Sequence, residues 1–378
     1  MIDSDFKKRC IPQNKEVRKV SETKVLGLTM DKDLNFNSHS KRVYNKIVGK
    51  WAKICEYTSK HWGFNQRVIT KIAQTFFLTS IHYAGIVWMN EKNMKQVEQI
   101  WYKIIKSAIG ATFNIRKSLA EIILGMPPIV IQNQMNKVKF YLKINIKPAK
   151  EDRLRDFIKR CYEDHQQANI VKELKVSIRD VFRFLKWKLA EIPSDFTQDE
   201  IDIIQNLRYD QYFQLSTTAC SYTKTQILHY TEKIWASKIE NEFALDGYYH
   251  KPTPSCSHLQ IPKNTTREQE VLLMSLFYPN NLFNSHIYRH TYQAESPLCR
   301  KCGRDEETPY HIILECSDLA EEAQRLLAKI ISEDELRIND CITLLHGRKS
   351  PDFLKICVDI LSQQEYRVHI DLNEPLVE

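Results

Sequence analysis

A chain of 378 residues with 43% hydrophobic and 27% charged residues has the composition of a globular protein, not of a disordered or low-complexity one. The length allows a substantial core and about two or three domains. A net charge of +8 suggests a polyanionic partner, and 9 glycines are few for a sheet-rich fold with tight hairpins, so a mainly α fold is expected.

In chain order, residues 1–35 form a basic segment without an apolar secretion core at its start. The run Val25-Leu26-Gly27-Leu28-Thr29-Met30 between turn signals reads as a β-hairpin. Residues 36–147 read as a helical domain. Asn37 or Ser38 is the expected cap of a helix carrying Val43, Ile47, Trp51 and Ile54 at helical spacing. The longest apolar run, residues 68–89, contains Lys71, Gln74 and His82, so it reads as a buried amphipathic helix and not as a membrane span. Asn90 and Asn93 flank the start of the next helix. Met94, Val97, Ile100, Trp101, Ile104, Ile105 and Ala108 share one of its faces. Lys92, Lys95, Lys103 and Lys106 lie over the rest of it, as a solvated face or as a phosphate-binding one. Ser118-x-x-Glu121 is a capping box, Gly125-Met-Pro127-Pro128 ends that short helix, and residues 132–147 are helical again.

Residues 148–244 form a helical middle region. It holds a charged helix over 151–166, an apolar-periodic segment from Ser177, a capping box Thr197-x-x-Glu200, and a helix over 223–243. Residues 245–265, rich in proline and serine, read as a linker. Its Cys256-x-His258 pair reads as incidental. Residues 266–378 form the last module, with an acidic helix over 319–331, a cover from Cys341, Leu344 and Leu345, and a final helix over 352–363. Cys220, Cys341 and Cys357 read as small core hydrophobes. The ten cysteines show no disulfide framework, which points to a reducing, intracellular setting, nuclear or cytoplasmic, and not to secretion.

The last module carries the sharpest signal. Cys299, Cys302, His311 and Cys316 are spaced C-x₂-C-x₈-H-x₄-C. Three thiols and one imidazole make a tetrahedral donor set that leaves no position open for water, so a structural Zn²⁺ is expected rather than a catalytic one. Gly303 directly after Cys302 suits the turn back onto the metal. His311 and Cys316 would reach one ion from a short helix or its end, with Ile312, Ile313 and Leu314 packing inward. Arg300, Lys301 and Arg304 lie between the ligands and are candidates for phosphate contact. Tyr288 and Tyr310 are candidates for stacking on bases.

Two stretches resemble non-LTR retrotransposon reverse transcriptases, especially jockey-like and related invertebrate elements. The string Ser296-Pro-Leu-Cys299, Cys302-Gly303, Glu307-Thr308 and His311-Ile-Ile-Leu-Glu-Cys316 is similar to their C-terminal zinc knuckle. Its loop is longer than in the nucleocapsid knuckle of retroviruses. Lys24-Val25-Leu26-Gly27, Asp31, Leu34, Phe36 and His39 resemble the K-x-L-G-x-x-x-D-x-x-L-x-F-x-x-H run that follows the polymerase palm and leads into the helical thumb. Val25 departs from the aromatic residue usual there. Tyr83-Ala84-Gly85, Trp88, Trp101 and Ile109-Gly110-Ala111 extend the match over about 16–146, and the knuckle match covers about 267–346. The resemblance implies an RNA-directed DNA polymerase fragment whose thumb helices grip a template–primer duplex and whose knuckle contacts RNA or target DNA. It draws Lys24 and His39 into the candidate nucleic-acid set.

The chain has no Asp-Asp pair and begins where the palm of that family should end. The carboxylates of a two-metal polymerase site are therefore missing, and no RNase H carboxylate set appears in the middle region. No enzymatic activity is expected of this chain alone. Four readings stay open: a truncated or decayed element copy, a host-adopted nucleic-acid-binding fragment, a helical protein-interaction scaffold whose zinc only closes the fold, and an active polymerase whose palm is supplied by a second chain.

Overall fold

The computed structural model describes residues 20–58, 62–111, 115–146, 156, 169–243, 254–256, 261, 265–275, 283–290, 294–308, 311–318 and 350–361. The fold is mainly helical, with one two-stranded antiparallel sheet at its start. Among the described residues no helix is long and apolar enough to cross a membrane.

Strands β1 (Glu22–Val25) and β2 (Leu28–Asp31) pair with Val25 opposite Leu28. The two residues between them, Leu26 and Gly27, both have positive φ, 47° and 86°, as the tight hairpin turn matching strand twist requires. The Tyr83 hydroxyl donates to the Leu26 carbonyl at 2.7 Å and docks the hairpin tip on the body.

Helix α1 (Asn37–Cys55) does not use the expected Asn37 or Ser38 cap. Phe36 is its N-cap, in the left-handed region and without a side-chain cap bond. The Asp31 carboxylate takes over the entry, accepting from the Asn35 and Phe36 amides at 2.9 and 2.7 Å. Burial of the Phe36 ring sets the angle. His39, Ser40, Val43, Ile47 and Trp51 face inward.

The run expected as one buried helix is instead broken. Helix α2 (Gln66–Ile72) passes through a π-helical stretch (Ala73–Leu78) into α3 (Thr79–His82), and the chain turns at Ala84, φ 49°, into α4 (Gly85–Trp88). The Trp88 indole donates to the Tyr83 carbonyl at 2.9 Å across the break. Ile69, Ala73, Phe77 and Ile81 are buried, while Val68, Phe76 and Tyr83 are exposed. The segment is therefore amphipathic, as its charged interruptions suggested.

Helix α5 (Glu91–Ile109) is the centre of the first half. Asn90 caps it, accepting from the Asn93 amide at 2.9 Å. Val97, Ile100, Trp101, Ile104, Ile105 and Ala108 are buried on one face, as the periodicity predicts. It ends at Gly110, φ 76°, where a Cβ would lie 2.4 Å from Val271 Cγ2. Helix α6 (Lys117–Ile123) starts two residues earlier than the Ser118 capping box needs. Arg116 is the N-cap, and the Glu121 side chain is buried against Lys117 instead. Helix α7 (Ile129–Ile146) then runs across the body.

In the middle region α8 (Asn169–Glu191) packs along α7. The Thr197 capping box opens α9 (Gln198–Gln205), with both reciprocal bonds formed. Helices α10 (Thr217–Cys220) and α11 (Lys224–Phe243) also pack on α7. Lys188, 1% exposed, is held by the carbonyls of Thr218, Ala219 and Ser221 at 3.1, 3.1 and 2.9 Å and by Asp195 at 2.8 Å. A buried ammonium fully ringed by acceptors is tolerable, and here it also caps the C-terminal carbonyls of α10.

The last module holds α12 (Arg267–Ser275), α13 (Asn284–His290) and α14 (Ser350–Leu361); α12 and α14 pack together. Arg267 donates to the Ser107 and Ala108 carbonyls at 2.9 and 3.0 Å, capping α5. Glu270 accepts from the Gln66 amide at 2.7 Å at the start of α2. One helix thus clasps two helix ends of the first half. The buried apolar side chains from Phe36 to Leu361 form one cluster that crosses the boundaries drawn at 147 and 265. Cys220 and Cys357 are buried in it. The charged helix over 151–166 (apart from Asp156), most of the 245–265 segment with His258, the acidic helix over 319–331, and Cys341, Leu344, Leu345 and Tyr310 lie outside the described residues.

Candidate metal centre

The donor atoms of Cys299, Cys302, His311 and Cys316 lie within 4.8 Å of one another. Cys299 Sγ and Cys316 Sγ are 3.9 Å apart, and Cys302 Sγ is 3.3 Å from His311 Nε2. Tetrahedral bonds of about 2.3 Å to sulfur and about 2.0 Å to nitrogen place such pairs about 3.8 Å and about 3.5 Å apart. The donor set and its spacing therefore fit a four-coordinate ion held wholly by protein. Cys299, His311 and Cys316 are buried, and Cys302 lies at the rim.

Backbone bonds build this arrangement. Leu298 and Glu306 form an antiparallel bridge, and the Cys299 amide donates to the Asp305 carbonyl at 2.8 Å. The Gly303 amide donates to the Cys299 carbonyl at 2.8 Å with φ at 62°, as expected of the glycine after the second cysteine. His311 and Cys316 are joined differently from a plain helix. Five residues along an α-helix turn through about 500°, leaving the two side chains about 140° apart. The chain instead makes a π-helical turn, His311–Glu315, closed by the Cys316 amide on the His311 carbonyl at 2.8 Å. That i to i+5 bond brings both donors to one side. Thr308 Oγ1 accepts from the His311 amide at 3.0 Å and starts the turn.

Burial pushes the Cys299 thiol up to about 11. The Arg304 and Asp305 amides draw Cys302 down to about 7. Of these two thiols, Cys302 is the nearer to its ligating, ionised form. His311 Nδ1 is buried without a hydrogen-bond partner and faces the Glu315 carboxylate at 4.0 Å. This is the outward side of the ring when Nε2 serves as the donor, where a carboxylate commonly orients a ligating histidine.

The candidate nucleic-acid residues separate on the structure. Arg300 does not face outward for a phosphate. Its Nε lies 2.9 and 3.0 Å from the two oxygens of Glu307, whose side chain is 0% exposed. Glu307 also accepts from the Arg300 amide at 2.8 Å and from the Asn284 amide at 2.9 Å, at the start of α13. This carboxylate, which the metal-ligand spacing could not single out, ties the knuckle to the neighbouring helix. Its sequence signal is the Glu307-Thr308 pair in the string that resembles the zinc knuckle, which marked the residue without revealing this role.

His39 is also not a surface contact. It is buried, its Nδ1 accepts from the Thr29 amide at 3.2 Å, and its ring meets Trp88 edge-on at 5.1 Å. Desolvation, with Arg42 nearby, holds its pKa below the ordinary value. Lys24 is exposed on β1; Tyr288 and Arg304 are exposed near the knuckle, and Lys301 is half-buried. No protein-family model, curated protein or solved structure matches this chain.

Proposed function

We propose that the chain is the thumb-and-knuckle part of a non-LTR retrotransposon reverse transcriptase, without the catalytic palm, and acts by binding nucleic acid through a zinc-stapled module. The observation that carries the reading is the closed Cys₃His cluster in the spacing that resembles that family's knuckle. Cys299, Cys302, His311 and Cys316 would hold the zinc, which cross-links the knuckle turn to the π-helical turn when bound. Glu307 and Arg300 brace the loop from behind. With Arg300 committed to that role, Lys301 and Arg304 are the cations of the loop assigned to phosphates, and Tyr288 on α13 offers an exposed ring. The chain itself would neither polymerise nor cut nucleic acid.

The test is binding of the zinc-loaded chain to single-stranded RNA and DNA over a range of salt. Affinity should fall steeply with salt. Lys301→Ala with Arg304→Ala should flatten the log–log slope by roughly 0.7 per lost contact while zinc content stays unchanged. The rival reading, a protein-interaction scaffold with a purely structural zinc, is favoured by the same closed donor set. It predicts no binding even at low salt.

A further inference from the structure

The outer edge of the hairpin is open. Among the described residues β2 is the only strand paired with β1, and all four residues of β1 are exposed. The Lys32 amide donates to the Ser21 carbonyl at 3.1 Å, just beyond the ladder. In an antiparallel pair, successive residues turn their backbone groups alternately toward and away from the partner strand. With Ser21 turned toward β2, Thr23 and Val25 face it as well. Glu22 and Lys24 therefore point their N–H and C=O groups away from it. A row of such groups is a template for another strand.

The side chains of this edge carry a pattern of their own. Glu22 and Lys24 have opposite charges and, two residues apart, lie on the same face of the hairpin. The Ser38 hydroxyl donates to the Glu22 carboxylate and holds it on the α1 side. Val20, Val25 and Leu26, in and beside the strand, are 59%, 45% and 87% exposed.

A second copy of β1 fits this edge in one register. Antiparallel pairing that sets Glu22 opposite Lys24 of the second copy uses the outward groups of both residues, and a two-fold axis repeats the contact. Each carboxylate then faces an ammonium across the strands. Thr23 meets its own copy on the axis, a favourable cross-strand pair. Val20 of one chain comes opposite the turn residue Leu26 of the other. Pairing Glu22 with Glu22, or Lys24 with Lys24, would use the same kind of backbone groups but set like charges against each other.

We propose that the chain forms a two-fold dimer by joining β1 to β1 in the Glu22–Lys24 register, giving a four-stranded sheet. A second copy is chosen over an unrelated strand because the edge is complementary to itself in charge. The contact is small, so association should be weak and concentration-dependent. The proposal rests on neither the zinc nor the nucleic-acid reading.

The test is sedimentation equilibrium of the full zinc-loaded chain, without nucleic acid, over a range of concentration. The wild type should pass reversibly from monomer to dimer. Glu22→Lys and Lys24→Glu alone should each weaken the dimer about tenfold or more, because each sets like charges opposite at two places. Both reversals in one chain should restore dimerisation, and so should an equimolar mixture of the two single variants. Restoration also excludes misfolding as the cause of the loss. Lys24→Pro, which removes an outward amide and no bond to β2, should abolish the dimer. The proposal is overturned if the chain stays monomeric at the highest concentration reached. It is equally overturned if it dimerises without regard to the single reversals, or if the double reversal fails to restore the dimer. An edge covered by another segment of the same chain, or kept for a different protein, gives the first of these results.

Discussion

The helical body and the knuckle are held together by different physics. In the body, α1, α5 and α7 bury Ile47, Trp101, Ile104 and Leu142 completely, and polar side chains such as Asn90, Arg267 and Lys188 finish the helix ends. The knuckle is a short loop with few apolar side chains of its own. It is organised by a cluster of four donor atoms able to hold a metal ion and by the buried Glu307–Arg300 pair. A core stabilises roughly in proportion to the apolar area it hides, so its loss can be partial. A metal site stabilises through a few bonds that are made or lost together. The body should therefore yield gradually to substitution, and the knuckle all at once to chelation.

Metal removal should separate the two most strongly. Cys302→Ser, or a strong chelator, should unfold the knuckle with a loss of about 10 kcal/mol of binding free energy, the order seen for structural zinc sites. The helices of the body should persist. Hydrogen exchange read by mass spectrometry should show residues 298–316 losing protection while α5 and α7 keep theirs. The reverse experiment is Trp101→Ala, which should cost about 3–5 kcal/mol in the body core. Denaturant unfolding should reveal that loss with zinc content unaltered.

Glu307→Gln tests the join between the knuckle and α13. It leaves Arg300 next to a neutral amide in a buried site, with an expected cost of about 3 kcal/mol. Metal should dissociate faster in a chelator-competition assay, although no ligand is changed. The smallest effect concerns pH. The folded His39 has a pKa below the ordinary 6.5, so the unfolded chain takes up its proton first. The stability this histidine contributes is present above about pH 6.5 and is lost as pH falls toward the folded pKa. His39→Gln should flatten the fall in melting temperature between about pH 7 and about pH 5. An identical slope in the variant would remove His39 from the account.

The features legible in the sequence were those written into neighbouring residues. The hairpin over 22–31, the apolar face of α5, the Asn90 cap, the Thr197 capping box and the Cys₃His spacing all depend on residues a few positions apart; the turn of that hairpin, at Leu26-Gly27, falls inside the run read as strand. What escaped depends on partners far along the chain. Arg267 reaches the end of α5 across 160 positions, and Lys188 caps α10 across about 30. Phe36 replaces the expected cap because its ring is buried, which no capping pattern encodes. His39 looked like a surface contact because hydrophilic character is visible in a sequence and burial against Trp88 is not. Arg300 failed in the same way, its partner Glu307 sitting among residues selected for their spacing to a metal.

The central claim is a closed, protein-held zinc centre that organises the knuckle. X-ray absorption at the zinc edge of reduced, purified full-length protein tests it most directly. The account predicts one zinc per chain with three sulfur neighbours near roughly 2.3 Å and one nitrogen near roughly 2.0 Å. A protein that binds no zinc while its four donors titrate as free groups, or one whose zinc carries a water in place of Cys302 or His311, would contradict it.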